Sequence, residues 1–124
     1  MSMKRYCFNK HIQEAFEQSV VPIGIYQVVD GRVVTLIASD GLCELFGYKT
    51  RTEAVEKMDS DMYWNVHPDD VKRVEEAAAA FIKEDKPYNL VCRVMRENGY
   101  RLIHTIARSE ERFSRHAETI SYAV

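Results

Sequence analysis

The residues with the greatest chemical reach in this 124-residue chain are four histidines, three cysteines and a pair of adjacent acids. The histidines (His11, His67, His104, His116) and the cysteines (Cys7, Cys43, Cys92) stand far apart. No CxxC pair exists, so neither a zinc knuckle nor a dithiol redox centre is encoded. HExxH, the phosphate-binding P-loop, GxSxG and GxGxxG are missing as well. Asp69 and Asp70 invite a metal or an acid–base role. They follow His67-Pro68 at a helix start, however, where their charge complements the positive helix end, and no third ligand accompanies them. No nucleophile has an evident base. The reading is no catalytic residue, no metal and no enzyme.

Single residues carry sharper ideas. His104 interrupts an apolar strand pattern, and a buried neutral imidazole there could hydrogen-bond a ligand or switch the domain near neutral pH. The plainer reading is a core histidine satisfied by backbone or water. Trp64 could stack on a planar cofactor or close the edge of the core. Cys92 reads as a small core hydrophobe. Met62 and Tyr63 could line a pocket or simply pack. Arg93, Arg96 and Arg101 form a basic hairpin best read as a solvated strand edge rather than a phosphate site.

The hydrophobic pattern delineates the elements that must position these residues. Phe8, Ile12 and Phe16 form one stripe of an amphipathic helix over residues 8–19, which Pro22 prevents from continuing. Such a helix of about three turns is marginal alone and must bury its stripe. Two partners are open: the outer sheet face, offering Val91, Met95, Ile103 and Ala107, or the same helix in a second subunit. Strand-like runs at 23–29 and 32–38 flank Asp30-Gly31, a strong hairpin signal. Ser39 or Asp40 caps a short helix carrying Leu42, Cys43, Leu45 and Phe46, with Gly47 at its exit. Thr50 or Thr52 caps a second through Met58, and a further turn carries Met62, Tyr63 and Trp64. His67-Pro68-Asp69-Asp70 then opens a long helix whose face is Val71, Val74, Ala78, Phe81 and Ile82.

The last third reads as strand. Leu90, Cys92 and Val94 alternate with Val91, Arg93 and Met95 before a turn at Asn98-Gly99. A two-residue Asn-Gly loop pairs Val94 with Ile103. A three-residue Glu-Asn-Gly loop with a glycine bulge pairs it with Leu102. The second is preferred, because it places Leu90, Cys92, Val94, Leu102, His104 and Ile106 on one mainly apolar face; under the first, His104 points outward. A polar turn near 110–115 and a final strand over 118–124 complete an α+β chain, an antiparallel sheet with helices gathered on one side. Residues 1–20 form the N-terminal helical segment and 21–124 the core domain.

Composition agrees with one ordinary globular domain: 46% of residues are hydrophobic and 29% charged. The length excludes a two-domain enzyme. A formal charge of −2 argues against a general binder of nucleic acid or anionic membranes. No apolar run approaches the ~20 residues that cross a bilayer, and no signal-peptide core follows the start, so the cytoplasm is the default.

In this order and spacing, PIGIYQ on the first strand, LCELFGY, VHPDDV and RVMRENGYRLI make the chain resemble the PAS domain family, over nearly its whole length and nearest its VHPDD-type members. The resemblance implies a five-stranded antiparallel sheet of order 2-1-5-4-3 with short helices on one face. It implies a sensory module, usually dimeric, often joined to a histidine kinase or a cyclic-dinucleotide enzyme. Where light-sensing members carry a reactive cysteine before the long helix, this chain reads SDMYWNV, so that flavin chemistry is not expected. Some members bind haem through a long-helix histidine; His67 reads instead as a helix-start residue, and the cofactor, if any, is unknown. The chain stops at Val124 inside a strand pattern, which reads as a fragment of a longer polypeptide or as the native end.

The expectation is therefore a cytoplasmic, non-catalytic sensory input domain coupled to an output domain. It would form a homodimer through Phe8, Ile12 and Phe16. A small ligand would lie among His104, Cys92, Val94, Leu90, Ile106, Met62, Trp64, Val74 and Ala78. The alternative is a protein-interaction domain whose interior is filled by its own Met62, Trp64 and Phe81. A third reading, a small enzyme using His104, lacks an acidic partner on the same face.

Overall fold

The structure, a computed structural model, describes residues 5–84, 86–110 and 118–123. Helix α1 (Lys10–Glu17) begins at Asn9, whose side chain accepts from His11 N. Strands β1 (Ile23–Val29) and β2 (Arg32–Ala38) form a hairpin. Its turn residues Asp30 and Gly31 have φ of 51° and 77°, the paired positive angles that match the twist of adjoining strands. Between Ile25 and Tyr26 the pairing slips, since Ile25 opposes Ile37 and Tyr26 opposes Thr35. Leu36 is the extra residue of this bulge.

Ser39 then does several things at once. Fully buried, its hydroxyl caps α2 (Asp40–Phe46) by accepting from Leu42 N at 3.1 Å and accepts from Ile23 N at 2.8 Å. It also donates to Val21 O at 2.7 Å. One side chain thus joins the start of β1, the end of β2 and the first inserted helix. Gly47, at φ 81°, ends α2 in the left-handed conformation. Thr50 caps α3 (Arg51–Ser60) through Glu53 N. The long helix α4 (Pro68–Glu84) starts as its proline and acids require, and His67 joins in by accepting from Asp69 N through Nδ1 at 3.1 Å. That bond makes His67 a helix-start residue.

Strands β3 (Tyr88–Arg96), β4 (Gly99–Glu110) and β5 (Glu118–Ala123) complete the sheet, antiparallel throughout in the order β2-β1-β5-β4-β3. The polar turn expected near 110–115 lies, from residue 111 onward, outside the described residues. The outer strands are engaged along part of their free margins. On β3, Met95 N donates to Asn65 O, His67 N to Arg93 O, and Arg93 N to the Asp70 carboxylate. On β2, Thr35 N donates to Asp59 and Thr35 O accepts from Arg5.

The β3–β4 hairpin corrects the preferred register. Arg96 pairs with Gly99 and Val94 with Arg101, so the two turn residues are Glu97 and Asn98. Neither has a positive φ; only Gly99 does, at 121°, and it opens β4 instead of sitting in the loop. Ile103 and Ala107 therefore face inward, 2% and 6% exposed, with Thr105 between them. Leu102, His104 and Ile106 face outward, and Leu102 is 65% exposed. The physical reason is burial: this parity keeps an imidazole out of the apolar interior and puts two well-packed aliphatic positions there.

Helices α2, α3 and α4 cover the inner face of the sheet. Helix α1 packs against β2, not against the outer face of β3–β4, where Val91 and Met95 stay exposed. It is held by Tyr6 N on the Gln27 amide oxygen, Gly41 N on Ser19 O, and Arg51 on Glu17 O. Phe8 and Phe16 meet edge-to-face at 6.4 Å, whereas Ile12 is 49% exposed.

Candidate functional site

The interior divides into two packed groups. One joins Ala38, Leu42, Cys43, Tyr48, Ala54 and Met58; the other joins Val74, Cys92, Val94 and Ile103. Phe46 packs against both. Between them lies a cavity of about 190 Å³. The sheet contributes Tyr26, Val28, Cys92, Val94, Ile103 and Thr105 to its wall. The helices contribute Leu42, Phe46, Met58, Val74, Ala78 and Phe81, and the segment before α4 adds Met62, Tyr63, Asn65 and Val66.

The strand period explains which residues arrive here. Tyr26 and Val28 on β1 share one face, as do Cys92 and Val94 on β3. Gly24 makes room for Tyr26: a Cβ at position 24 would lie 2.3 Å from the Tyr26 hydroxyl oxygen. That hydroxyl donates to Met58 Sδ at 3.6 Å. Tyr48 lies at the cavity rim, where its hydroxyl accepts from Trp64 Nε1 at 2.9 Å.

The electrostatics of the wall are uniform. Among the described residues that line the cavity, no Asp, Glu, Lys, Arg or His is present. Burial pushes the Tyr88 phenol up to about 12, and lifts Tyr26 further and Tyr63 in the same direction. These groups stay neutral hydroxyls at any physiological pH. Burial also raises the Cys92 thiol, which removes the thiolate a nucleophile would need. The wall can shape, desolvate and hydrogen-bond a guest, but it offers no charge or attacking group.

Just outside stands an ion pair that ties α4 to β3. The Asp70 carboxylate accepts from Arg93 N at 2.8 Å, Arg93 Nε at 3.0 Å and Arg93 Nη2 at 2.8 Å. These hydrogen bonds hold its pKa well below the usual carboxylate range. Arg96 performs a related task on α2, donating to Leu45 O at 2.7 Å near the helix end.

Of the residues expected around a ligand, Cys92, Val94, Met62, Val74 and Ala78 line the cavity. Leu90 instead packs into the second group behind the wall. His104 and Ile106 lie on the opposite sheet face, and His104 Nε2 meets Asn89 Oδ1 at 2.5 Å. Its partner is an amide rather than an acid. Trp64 lies at the edge, 44% exposed, with the Lys57 ammonium 4.5 Å above its ring. Among the lining residues that sequence reasoning missed are Tyr26, Tyr48, Tyr88, Asn65 and Thr105. The β1 alternation could have found Tyr26; nothing local marks Asn65. No three His, Cys, Asp or Glu side chains among the described residues gather as a metal site.

An antiparallel sheet roofed by helices around a cavity whose described lining carries no ionic side chain defines the class of this molecule: an α+β module with a helix-covered cavity. The chain belongs to the PAS fold family, which it matches over residues 35–118. In fold it is similar to the PAS domain of a protein from Colwellia psychrerythraea, with a TM-score of 0.67, 14% identity and 93% of each chain covered. It is also similar to a sensory box histidine kinase/response regulator from Burkholderia thailandensis, with a TM-score of 0.57, 17% identity, and 93% of this chain and 83% of that one covered. A third likeness is the LOV domain of a blue-light activated histidine kinase from Erythrobacter litoralis, with a TM-score of 0.63, 13% identity, and 84% and 94% covered. No curated protein matches the chain. No helix among the described residues is long and apolar enough to cross a membrane.

Proposed function

We propose that this chain is the sensory input domain of a cytoplasmic signalling protein, that it binds a small molecule in the interior cavity, and that it acts as a homodimer coupled to a histidine kinase or a cyclic-dinucleotide enzyme. PAS modules are generally sensory rather than catalytic, and one similar structure is itself part of a histidine kinase/response regulator. The observation that carries the reading is the cavity of about 190 Å³ that divides the core. A domain serving only as packing would close that space with its own side chains, at the density typical of interiors. Occupancy would act by favouring one arrangement of helices over another, which requires different affinity for the two.

Native mass spectrometry of the protein purified without denaturation tests this, together with a thermal-shift screen of small molecules. A retained or stabilising molecule supports the sensor. A bare mass and no stabilisation across the screen would leave the protein-interaction reading, for which the exposed Leu102, Tyr100 and Val91 on the outer sheet face speak.

A further inference from the structure

We propose that the cavity takes an uncharged molecule of one or two fused rings bearing a hydrogen-bonding group, anchored by the Asn65 carboxamide and the Tyr26 hydroxyl. This rests on the sensor reading above and narrows it. Size is the first argument. A cavity of about 150 Å³ lined by aliphatic and aromatic side chains accepts benzene, while pockets for drug-sized ligands start near about 300 Å³. At about 190 Å³, this one accommodates a bicyclic heterocycle.

Charge is the second. A buried ion needs a counter-charge or several hydrogen bonds, and the wall supplies no ionic side chain among the described residues. The adjacent Asp70 and Arg93 answer each other through three hydrogen bonds, so neither is left over for a charged guest.

The anchors are the third. Asn65 is 7% exposed and lines the cavity, and a carboxamide offers both a donor and an acceptor. Its backbone is fixed, because Met95 N donates to Asn65 O at 2.7 Å. On a wall that is otherwise mainly apolar, such a group fixes the orientation of a guest by hydrogen bonding. Tyr26 donates only to a thioether, a weak acceptor, which leaves its oxygen lone pairs free to receive a donor. Gly24 lets that hydroxyl stay where it is.

The test is a two-dimensional NMR titration of the full chain at neutral pH with indole and with indole-3-carboxylate. Indole is expected to shift the amides of Val74, Ala78 and Cys92 saturably, and the carboxylate to bind at least about tenfold more weakly, since it carries its charge into an apolar wall. Asn65→Leu and Tyr26→Phe are each expected to weaken indole by roughly three- to tenfold, the worth of one neutral hydrogen bond. Ala78→Phe should abolish binding while the spectrum stays dispersed. Equal or tighter binding of the carboxylate overturns the charge argument, and unchanged affinity in both anchor variants overturns the anchors. Failure of indole to bind overturns the class. If native mass spectrometry then shows a retained larger or ionic molecule, the sensor reading survives alone; a bare mass and no stabilisation in the thermal-shift screen remove both.

Discussion

The Thr35 side chain separates two kinds of hydrogen bonding at one position. Its backbone N–H and C=O are answered by Asp59 and Arg5, but its hydroxyl is buried without a partner among the described residues. Replacing that hydroxyl by a methyl removes an unsatisfied group and keeps the shape. Thr35→Val is expected to raise unfolding stability by about 1 kcal/mol in urea denaturation, and a loss would mean the hydroxyl is bonded. Asp70 is the opposite case. Its folded pKa is depressed, first by hydrogen bonding to Arg93. The stabilisation is therefore present above the unfolded value of about 3.9 and is lost as pH falls toward the lower folded value. Asp70→Asn should destabilise the protein by a constant margin from about pH 5 to 8, narrowing steadily below. Denaturation midpoints across that range check this; a gap that persists undiminished at about pH 2 would contradict it.

At the scale of elements, the two hairpins show what the sequence discloses and what it withholds. Asp30-Gly31 is legible because both residues tolerate the positive φ that a tight turn needs, and the strand ends follow from it. Glu97-Asn98-Gly99 is not, because candidate loops differing by one residue reverse the faces of β4, and local chemistry does not decide among them. Burial decides: Ile103 and Ala107 inside, Leu102 and His104 outside. Capping chemistry narrowed the first two helix starts to Ser39 or Asp40 and Thr50 or Thr52, of which Ser39 and Thr50 are the caps, and it marked Pro68 and the inner face of α4. Asn65 was not, since its place on the cavity wall is a property of the assembled interior. The register is checked by a pair of substitutions. Ile103→Ala should cost roughly 2–5 kcal/mol, whereas Leu102→Lys should stay within about 0.5 kcal/mol; the reverse ranking would restore the other parity. Helix α1 offers a further check. Arg51 holds its C-terminal end through Glu17 O and also bonds Ala38 O and Asp40. Arg51→Ala should speed amide exchange across residues 10–17 while leaving β3 and β4 protected.

At the scale of the molecule, apolar surface is divided between the interior cavity and an outer face bearing Val91, Met95, Tyr100 and Leu102. The proposed homodimer would cover the second, with Ile12 of α1 as a further contact. Leu102→Lys and Ile12→Lys, neutral for folding, should together shift sedimentation toward the monomer; an unchanged dimer would place its interface elsewhere.

The guarded flanks of the sheet constrain what such association can look like. Mid-strand polar groups on β3 and β2 are already taken by residues 65–70 and by Asp59 and Arg5, which shortens the row on which a neighbouring chain could continue the ladder. Each position so taken is one fewer on which strands of crowded copies could join, a safeguard for a domain that keeps leucine and tyrosine on display.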